Sequence, residues 1–509
     1  MFKNHPKGLM AAALANMGER FGFYTMMAIL SLFLMAKFGF SETQATIVYS
    51  VFYGFIYLLS FFGGLIADKT KNYKRTILIG LITMTAGYLI VSIPTPTPIP
   101  AGQMALMLAF TCFGLLVIAF GNGLFKGNLQ AVVGQMYDTP EYSKMRDSGF
   151  SIFYMFINVG AIFAPMLAVM VRNWWLNANG FEYNAELPEL CNALINGTIT
   201  EGGLVKLPEL AASVGYAGSS MTEFASQYLN VFVTGFHYAF ATAIFAMLIS
   251  VSIYQFNRKK FPNPKGTEKS YTIEQNEMSN EEVRQRIWAL IAVFAVVFFF
   301  WLSFHQNGAT LTYFAKDYVN LSAININLGF VKLQGAELFQ SINPFFVVLL
   351  TPVILAVFGA LRAHGKEPST PKKIAIGMGI AACAYLLMTL GSMGLPSKAE
   401  IVESGGLLET MKVSPLLLVG TYFILTVAEL FISPLGISFV SKVAPPKYQG
   451  IMQGLWLCAT GFANMLLFLG AIFYEKWTLA NTWMVFVVAC LLSMSIMVGM
   501  LKWLERVSK

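Results

Sequence analysis

The sequence predicts an all-α polytopic membrane protein with twelve transmembrane helices, and three observations support this. Of its 509 residues, 56% are hydrophobic and 12% are charged, where a soluble chain of this size carries about 25% charged residues. The apolar residues come in long continuous runs without the alternation of a membrane barrel. No water in the hydrocarbon core can satisfy free backbone groups, so such runs must cross as helices.

The runs cover 9–37, 46–67, 76–95, 103–134, 148–171, 231–256, 286–314, 338–361, 373–394, 414–440, 448–473 and 482–504. About 20 residues suffice to cross a bilayer. With both termini in the cytoplasm, 24 of the 34 Lys and Arg lie inside, 8 outside and 2, Arg20 and Lys126, within the membrane. This is the positive-inside pattern. The net charge of +8 therefore reports topology, with the lipid bilayer as partner, and predicts no nucleic-acid partner. Lys3 and Lys7 before an apolar stretch resemble a secretory signal. The stretch runs past Arg20 without a small-residue cleavage site, so it is expected to be retained as the first helix. Cys112, Cys383, Cys458 and Cys490 fall in runs and Cys191 stands alone outside, which leaves no disulfide framework.

The runs fall into two groups of six. Residues 1–256 form the first, with a long acidic outer loop at 173–230; 257–285 form a cytoplasmic linker; 286–509 form the second. The linker is basic (Arg258, Lys259, Lys260, Lys265, Lys269, Arg284) and contains Pro262 and Pro264. Ser279 is a helix N-cap candidate, with Glu282 at the third helical position. FGGLIAD (Phe62–Asp68) and FGALRAH (Phe358–His364) echo each other six runs apart. The outer loop holds Glu182, Glu186, Glu189, Glu201, Glu209 and Glu223; nothing in its residues assigns it a role.

Charges inside apolar runs are costly and mark solute or ion pathways. Glu19 and Arg20 lie in the first run, Lys126 in the fourth and Glu429 in the tenth. Asn16, Glu19, Arg20, Phe23 or Tyr24, and Met27 share one broad helix face. Glu19 and Arg20 point about 100° apart, so they are expected to meet different partners; the plainer alternative is a buried pair that only fixes packing. In GNGLFKGN, Gly121, Gly123 and Gly127 permit close helix approach, and Lys126 lies too deep to snorkel. Ser433 follows Glu429 by one turn, and Pro434 should loosen the helix beside it. Tyr57, Asn158, Trp301, His305, Gln306, Asn343, Trp456 and Asn464 are expected to line one cavity between the halves. His5, His237, His305 and His364 are scattered, with no clustered metal ligands and no nucleotide loop, so no metal, cofactor or enzymatic activity is expected.

Seven motifs in order resemble the proton-dependent oligopeptide transporters, the POT/PTR family of the major facilitator superfamily. They are GERFGFY from Gly18, GGLIADKTKNYKR from Gly63, GNGLFKGN from Gly121, FYMFINVGA from Phe153, FQSINP from Phe339, ELFISPLG from Glu429 and GLWLCATGFAN from Gly454. The resemblance covers most of the chain outside the outer loop. It implies a major facilitator fold of two six-helix bundles, with an outer insertion between helices 5 and 6. It also implies proton-coupled import of di- and tripeptides by alternating access, by a monomer in the cell inner membrane. Arg20 and Lys126 would face the peptide carboxylate and Glu429 and Asn343 its ammonium. Tyr24, Tyr57, Trp301, Ser433 and Trp456 would line side-chain pockets, and Asn158 counts among the substrate-binding residues. Asp68, Arg75 and Pro434 would serve gating or structure.

Three charged family positions are Asn16, Met27 and His305 here. Met27 and His305 form one paired change, since the family's residues there are expected to pair as a gate. The proton candidates are then Glu19, Glu429 and His305. Glu429 is expected to pair with Lys126 in the substrate-free site and to release it on protonation, coupling proton to peptide. The alternative readings are another small substrate, such as nitrate or an amino-acid conjugate, and an uncoupled nutrient sensor.

Overall fold

The computed structural model describes residues 5–70, 72–137, 139–142, 146–262, 278–324, 326–329, 331–445 and 449–507. Among these, twelve helical stretches are long and apolar enough to cross a membrane, in the places the apolar runs predict. The first half comprises α1 (Leu9–Phe38), α2 (Glu42–Thr70), α3 (Tyr73–Ser92), α4 (Met104–Met136), α5 (Arg146–Ala178) and α8 (Met221–Asn257). Between α5 and α8 lie two short helices, α6 (Leu187–Ile195) and α7 (Glu201–Ser213). The second half holds α9 (Asn280–Phe304), α10 (Thr310–Tyr318), α11 (Ile342–Ala363), α12 (Thr370–Gly391), α13 (Lys398–Ser404), α14 (Leu416–Val443), α15 (Gln449–Met465), α16 (Phe468–Lys476) and α17 (Leu479–Val507). A two-residue ribbon, β1 (Ile326–Asn327) against β2 (Lys332–Leu333), pairs Ile326 with Leu333.

Helix α1 is the axis of the first half. Gly18 of α1 and Gly160 of α5 let the neighbouring helices pack closely on it: a methyl on Gly18 would lie 2.9 Å from Ala246 O of α8 and one on Gly160 2.7 Å from Met17 O, and α1 is buried nearly all round. Its Glu19 and Arg20 are therefore held inside protein and do not face lipid. The glycines of GNGLFKGN serve this close packing unequally. A methyl on Gly63 of α2 would lie 2.0 Å from the carbonyl oxygen of Gly123 of α4, whereas one on Gly127 would meet only Ser60 O at 4.0 Å. The expectation for Gly127 is thus corrected: its Cβ position is open, and the helices remain tied beside it by Asn128 Nδ2, which donates to Gly63 O at 3.0 Å. Gly63→Ala is expected to cost about 1–3 kcal/mol by overpacking, read as a lower melting temperature in detergent; an unchanged melting temperature would contradict this contact. The sequence echo does not extend to packing, since a methyl on Gly359 of the second FG motif would touch nothing.

Two spans are broken. A 3₁₀ turn at His305–Gly308 separates α9 from α10, and a turn at 466–467 separates α15 from α16. The buried Gln306 side chain serves both breaks. Its amide nitrogen donates to Leu302 O at 3.1 Å and to Leu467 O at 3.4 Å, and its oxygen accepts from Thr310 Oγ1 at 2.6 Å. Irregular backbone at membrane depth survives where protein groups satisfy it in this way.

The outer loop is shorter and more ordered than the sequence suggests, because α5 extends to Ala178 and α8 starts at Met221. The Ser279 cap forms as expected, accepting from Glu282 N at 3.2 Å. Most of the linker, 263–277, lies outside the described residues.

Candidate functional site

The membrane-embedded charges lie on α1, α4 and α14, and each is buried or half-buried. The Arg20 guanidinium donates through Nε and Nη2 to the two oxygens of Glu19, each at 2.6 Å. Asn122 Nδ2 adds a third bond to Glu19 Oε1 at 2.6 Å, and Arg20 lies 4.5 Å over the Phe23 ring. The expectation that the two charges meet different partners is therefore corrected. The 100° between their Cβ directions is overcome by the length of the arginine side chain, which folds back to a two-point contact stronger than a single bond.

Lys126 is arranged differently. Its ammonium sits 4.0 Å over the Tyr57 ring, and among the described residues no carboxylate lies within ion-pair distance of it. The expected Glu429–Lys126 pair is not formed. Glu429 belongs to the second half and accepts from Asn343 Nδ2 at 2.9 Å, while the same amide donates to Thr426 Oγ1 at 2.9 Å. The two charges stand on opposite halves, each held by its own neighbours.

A third group completes the centre. His305 stacks on Trp301 with centroids 5.0 Å apart, and lies 5.1 Å from the Tyr53 ring. Its Nδ1 donates to Asn464 Oδ1 at 2.5 Å. Met27 is buried among apolar side chains, so the first half places no charge there to answer a charged residue 305.

The remaining sequence candidates are placed as follows. Asn158 turns its amide back to Tyr154 O at 3.2 Å. Trp456 packs 5.9 Å from Phe294 and against Gly436. Ser433 is half-buried one turn after Glu429, and Arg75 is exposed at the start of α3. The side chains of Asp68 and Pro434 lie outside the described residues; α14 continues through position 434 to Val443. Sequence reasoning missed Asn122, Tyr53, Thr426 and Tyr154. A helical spacing of three or four residues from Lys126, Tyr57, Glu429 and Asn158 is the signal that finds them.

A second constellation, on the outer face, was not foreseen. Lys398 Nζ of α13 lies 3.1 Å from Glu42 of α2, 3.0 Å from Glu189 of α6 and 3.1 Å from Asp317 of α10. Lys316 repeats the pattern at 3.4, 3.1 and 3.2 Å. Tyr474 of α16 donates to Asp317 at 2.7 Å, and Thr43 N donates to Glu475 at 2.7 Å. Nearby, Arg172 of α5 pairs with Glu337 ahead of α11, both fully buried. The acidic insertion adds Glu186 to Lys412 at 2.9 Å and Glu182 to Lys332 at 3.1 Å. It thus ties the first half to the second. A cavity of about 650 Å³ lies beneath it. The cations that line it, Arg172, Lys316 and Lys398, are all ion-paired.

Burial alone would raise the Glu189 carboxyl, but the Lys398 and Lys316 ammonium groups outweigh it and hold it well below the usual range. A depressed carboxylate contributes above its unfolded pKa and is lost only as pH falls through its folded value. The Glu189 contacts that hold α6 should therefore persist equally at pH 5 and pH 8. Cys191 on α6 is fully buried, its thiol pushed up by burial, and it is the only cysteine outside the spans. Its labelling by a membrane-impermeant maleimide, corrected for thiolate content, should be slow and pH-independent across that window; exposure rising toward pH 5 would contradict the reading.

Comparison with known proteins follows from this geometry. A family model described as the POT family matches residues 74–278 and 265–484. The chain is 30% identical over 485 residues to the peptide transporter YePEPT of Yersinia enterocolitica, covering 91% of this chain and 87% of that protein. It is 27% identical over 474 residues to dipeptide and tripeptide permease B of Xenorhabdus bovienii, covering 91% and 86%. A crystal structure of a peptide transporter POT in complex with sulfate superposes with a TM-score of 0.72 at 22% identity, over 100% of this chain and 96% of that one. That likeness is one of fold.

Proposed function

The chain belongs to the POT family, and from that premise we propose that it imports di- and tripeptides with protons, by alternating access between its two six-helix halves. It is a multi-pass membrane protein and a transporter, not an enzyme. The reading extends to the cell inner membrane, both termini in the cytoplasm and a single chain as the working unit, since one chain supplies the whole site.

One observation carries the proposal: among the described residues, Lys126 on one half has no carboxylate partner and Glu429 on the other has no cationic partner. A zwitterionic peptide complements both. Lys126 takes the carboxylate, while Glu429 and Asn343 take the ammonium. Arg20 is already held at two points by Glu19, so it acts as a fixed wall charge beside the carboxylate.

The same geometry supports an assignment of the proton. Protonating Glu19 would leave the Arg20 guanidinium buried beside a neutral acid, at the cost of an unpaired buried charge. Protonating Glu429 strands no cation. Glu429 is thus the proton carrier, and Glu19 is the counter-charge that fixes Arg20. The resulting coupling does not require the Glu429–Lys126 ion pair: one oxygen of the Glu429 carboxyl carries the proton while the other accepts from the peptide ammonium, so that the two move together.

The test is uptake of labelled dialanine into proteoliposomes. The proposal expects saturable uptake, competed by unlabelled di- and tripeptides and not by free alanine. Uptake competed equally by free alanine, or absent from folded protein, would overturn it.

A further inference from the structure

We propose that the outer cavity binds an amphipathic organic cation, an ammonium group on an apolar body, and that this occupant holds the outer face shut. The cavity, about 650 Å³, has the size of a small-molecule site. Its walls come from both halves. The first half supplies the end of α1 and the insertion helix α6; the second supplies α13 and Glu475 of α16. Asn192 Nδ2 of α6 donates to Ala36 O of α1 at 2.9 Å and fixes the first wall. Thr200 Oγ1, at the head of α7, donates to Val402 O of α13 at 3.0 Å and joins the insertion to the second wall. The two backbones nearly touch there: a methyl on Gly202 would lie 2.5 Å from Glu403 O. Gly39, Asn196, Thr198 and Glu403 line the cavity and are exposed, so it opens to the outside.

The lining selects the chemistry of the occupant. Met35, Phe40, Leu190, Ile199, Ile401 and Leu407 offer apolar contact. The charges, by contrast, do not balance. Arg172 is neutralised by Glu337, and Glu186 is answered by Lys206 and Lys412. Lys316 and Lys398 are shared among Glu42, Glu189 and Asp317, which leaves one negative charge in excess. Glu475 meets a neutral donor, Thr43 N, and Glu403 stands exposed, so both add to the excess. An anion would find every lining cation already paired. A bare metal ion would have to displace two lysines from the carboxylate cluster. An ammonium on an apolar body complements both the excess charge and the walls. Because it touches both halves, it favours the state in which the outer ends meet. That last step rests on the alternating-access reading; the binding itself does not.

The probes are (2-naphthylmethyl)trimethylammonium, 2-naphthylmethanol and 2-naphthylmethanesulfonate, titrated calorimetrically into the purified protein. The ammonium is expected to bind on the order of tenfold more tightly than the alcohol, with the sulfonate weakest, the scale of a few partly solvated charges acting together. Ala193→Trp, whose ring fills the cavity, should abolish binding. Glu403→Gln, at the exposed mouth where packing is undisturbed, should narrow the preference for the ammonium, which separates loss of the site from loss of the fold. In proteoliposomes the ammonium should slow dialanine entry, and excess dialanine should not relieve the inhibition. Equal binding of the three probes, or binding unchanged in both variants, would overturn the site. Relief by excess dialanine would place the probe in the central site and overturn it as well. The expected binding pattern in folded protein that takes up no peptide would support the cavity site and overturn the import reading alone.

Discussion

Glu429→Gln is expected to abolish accumulation of peptide against its gradient, lowering the proton-driven accumulation ratio by on the order of tenfold or more, while downhill entry or exchange of labelled peptide persists. The amide keeps the shape and the contact with Asn343 but can no longer take up or release a proton. Its charge is also lost, so affinity for the peptide ammonium should fall in the same variant. The assay separates the two effects: raising dialanine concentration restores downhill entry and leaves accumulation absent. Glu19→Gln should behave differently. It strands Arg20, which has lost a two-point carboxylate in a fully buried place, and the expected result is loss of stable protein in addition to transport. Full accumulation by Glu429→Gln would end the proton assignment.

Lys398→Ala is expected to open the outer face. In this structure Lys398 is buried, with its side chain 6% exposed, and touches carboxylates from α2, α6 and α10. Its removal leaves Glu42, Glu189 and Asp317 to share Lys316. Breaking a buried ion pair from one side costs about 3–5 kcal/mol, and that cost falls only on the state in which the outer ends meet. Two states a few kcal/mol apart then change places. Cys191, sealed under α6, should label with an impermeant maleimide at least tenfold faster in Lys398→Ala than in the wild type. Accumulation should fall as well, because the return to the outward-closed state becomes the slow step. Unchanged labelling would mean that the Arg172–Glu337 pair and the apolar packing hold the outer face without the lysine.

The sequence made the fold legible for a simple reason: the bilayer admits only helices at this composition, and each span is as long as the membrane is thick. The centre of the site was legible because Glu19, Arg20, Lys126 and Glu429 have no other business in apolar runs. The choice of partners was not. Spacing gives the direction of a Cβ, whereas Arg20 reaches Glu19 through the length of its side chain, and Lys126 lies over the Tyr57 ring instead of pairing with Glu429. The outer cluster was hidden because Glu42, Glu189, Lys316, Asp317 and Lys398 each read as an ordinary polar residue at a span end. Only the packing of four helices, α2, α6, α10 and α13, brings them together. The insertion hid its order as well: α6 opens on Leu187-Pro188 and α7 is capped by Thr200, signals easily passed over in a long acidic loop.

The central claim is that the Glu429 carboxyl on one half, acting with Lys126 on the other, couples proton flow to peptide entry. Accumulation of labelled dialanine in proteoliposomes, with and without an inward proton gradient, tests it most directly. The account predicts accumulation above equilibrium with the gradient and collapse to equilibrium when an ionophore dissipates it. Equilibration to the same level under both conditions would contradict it.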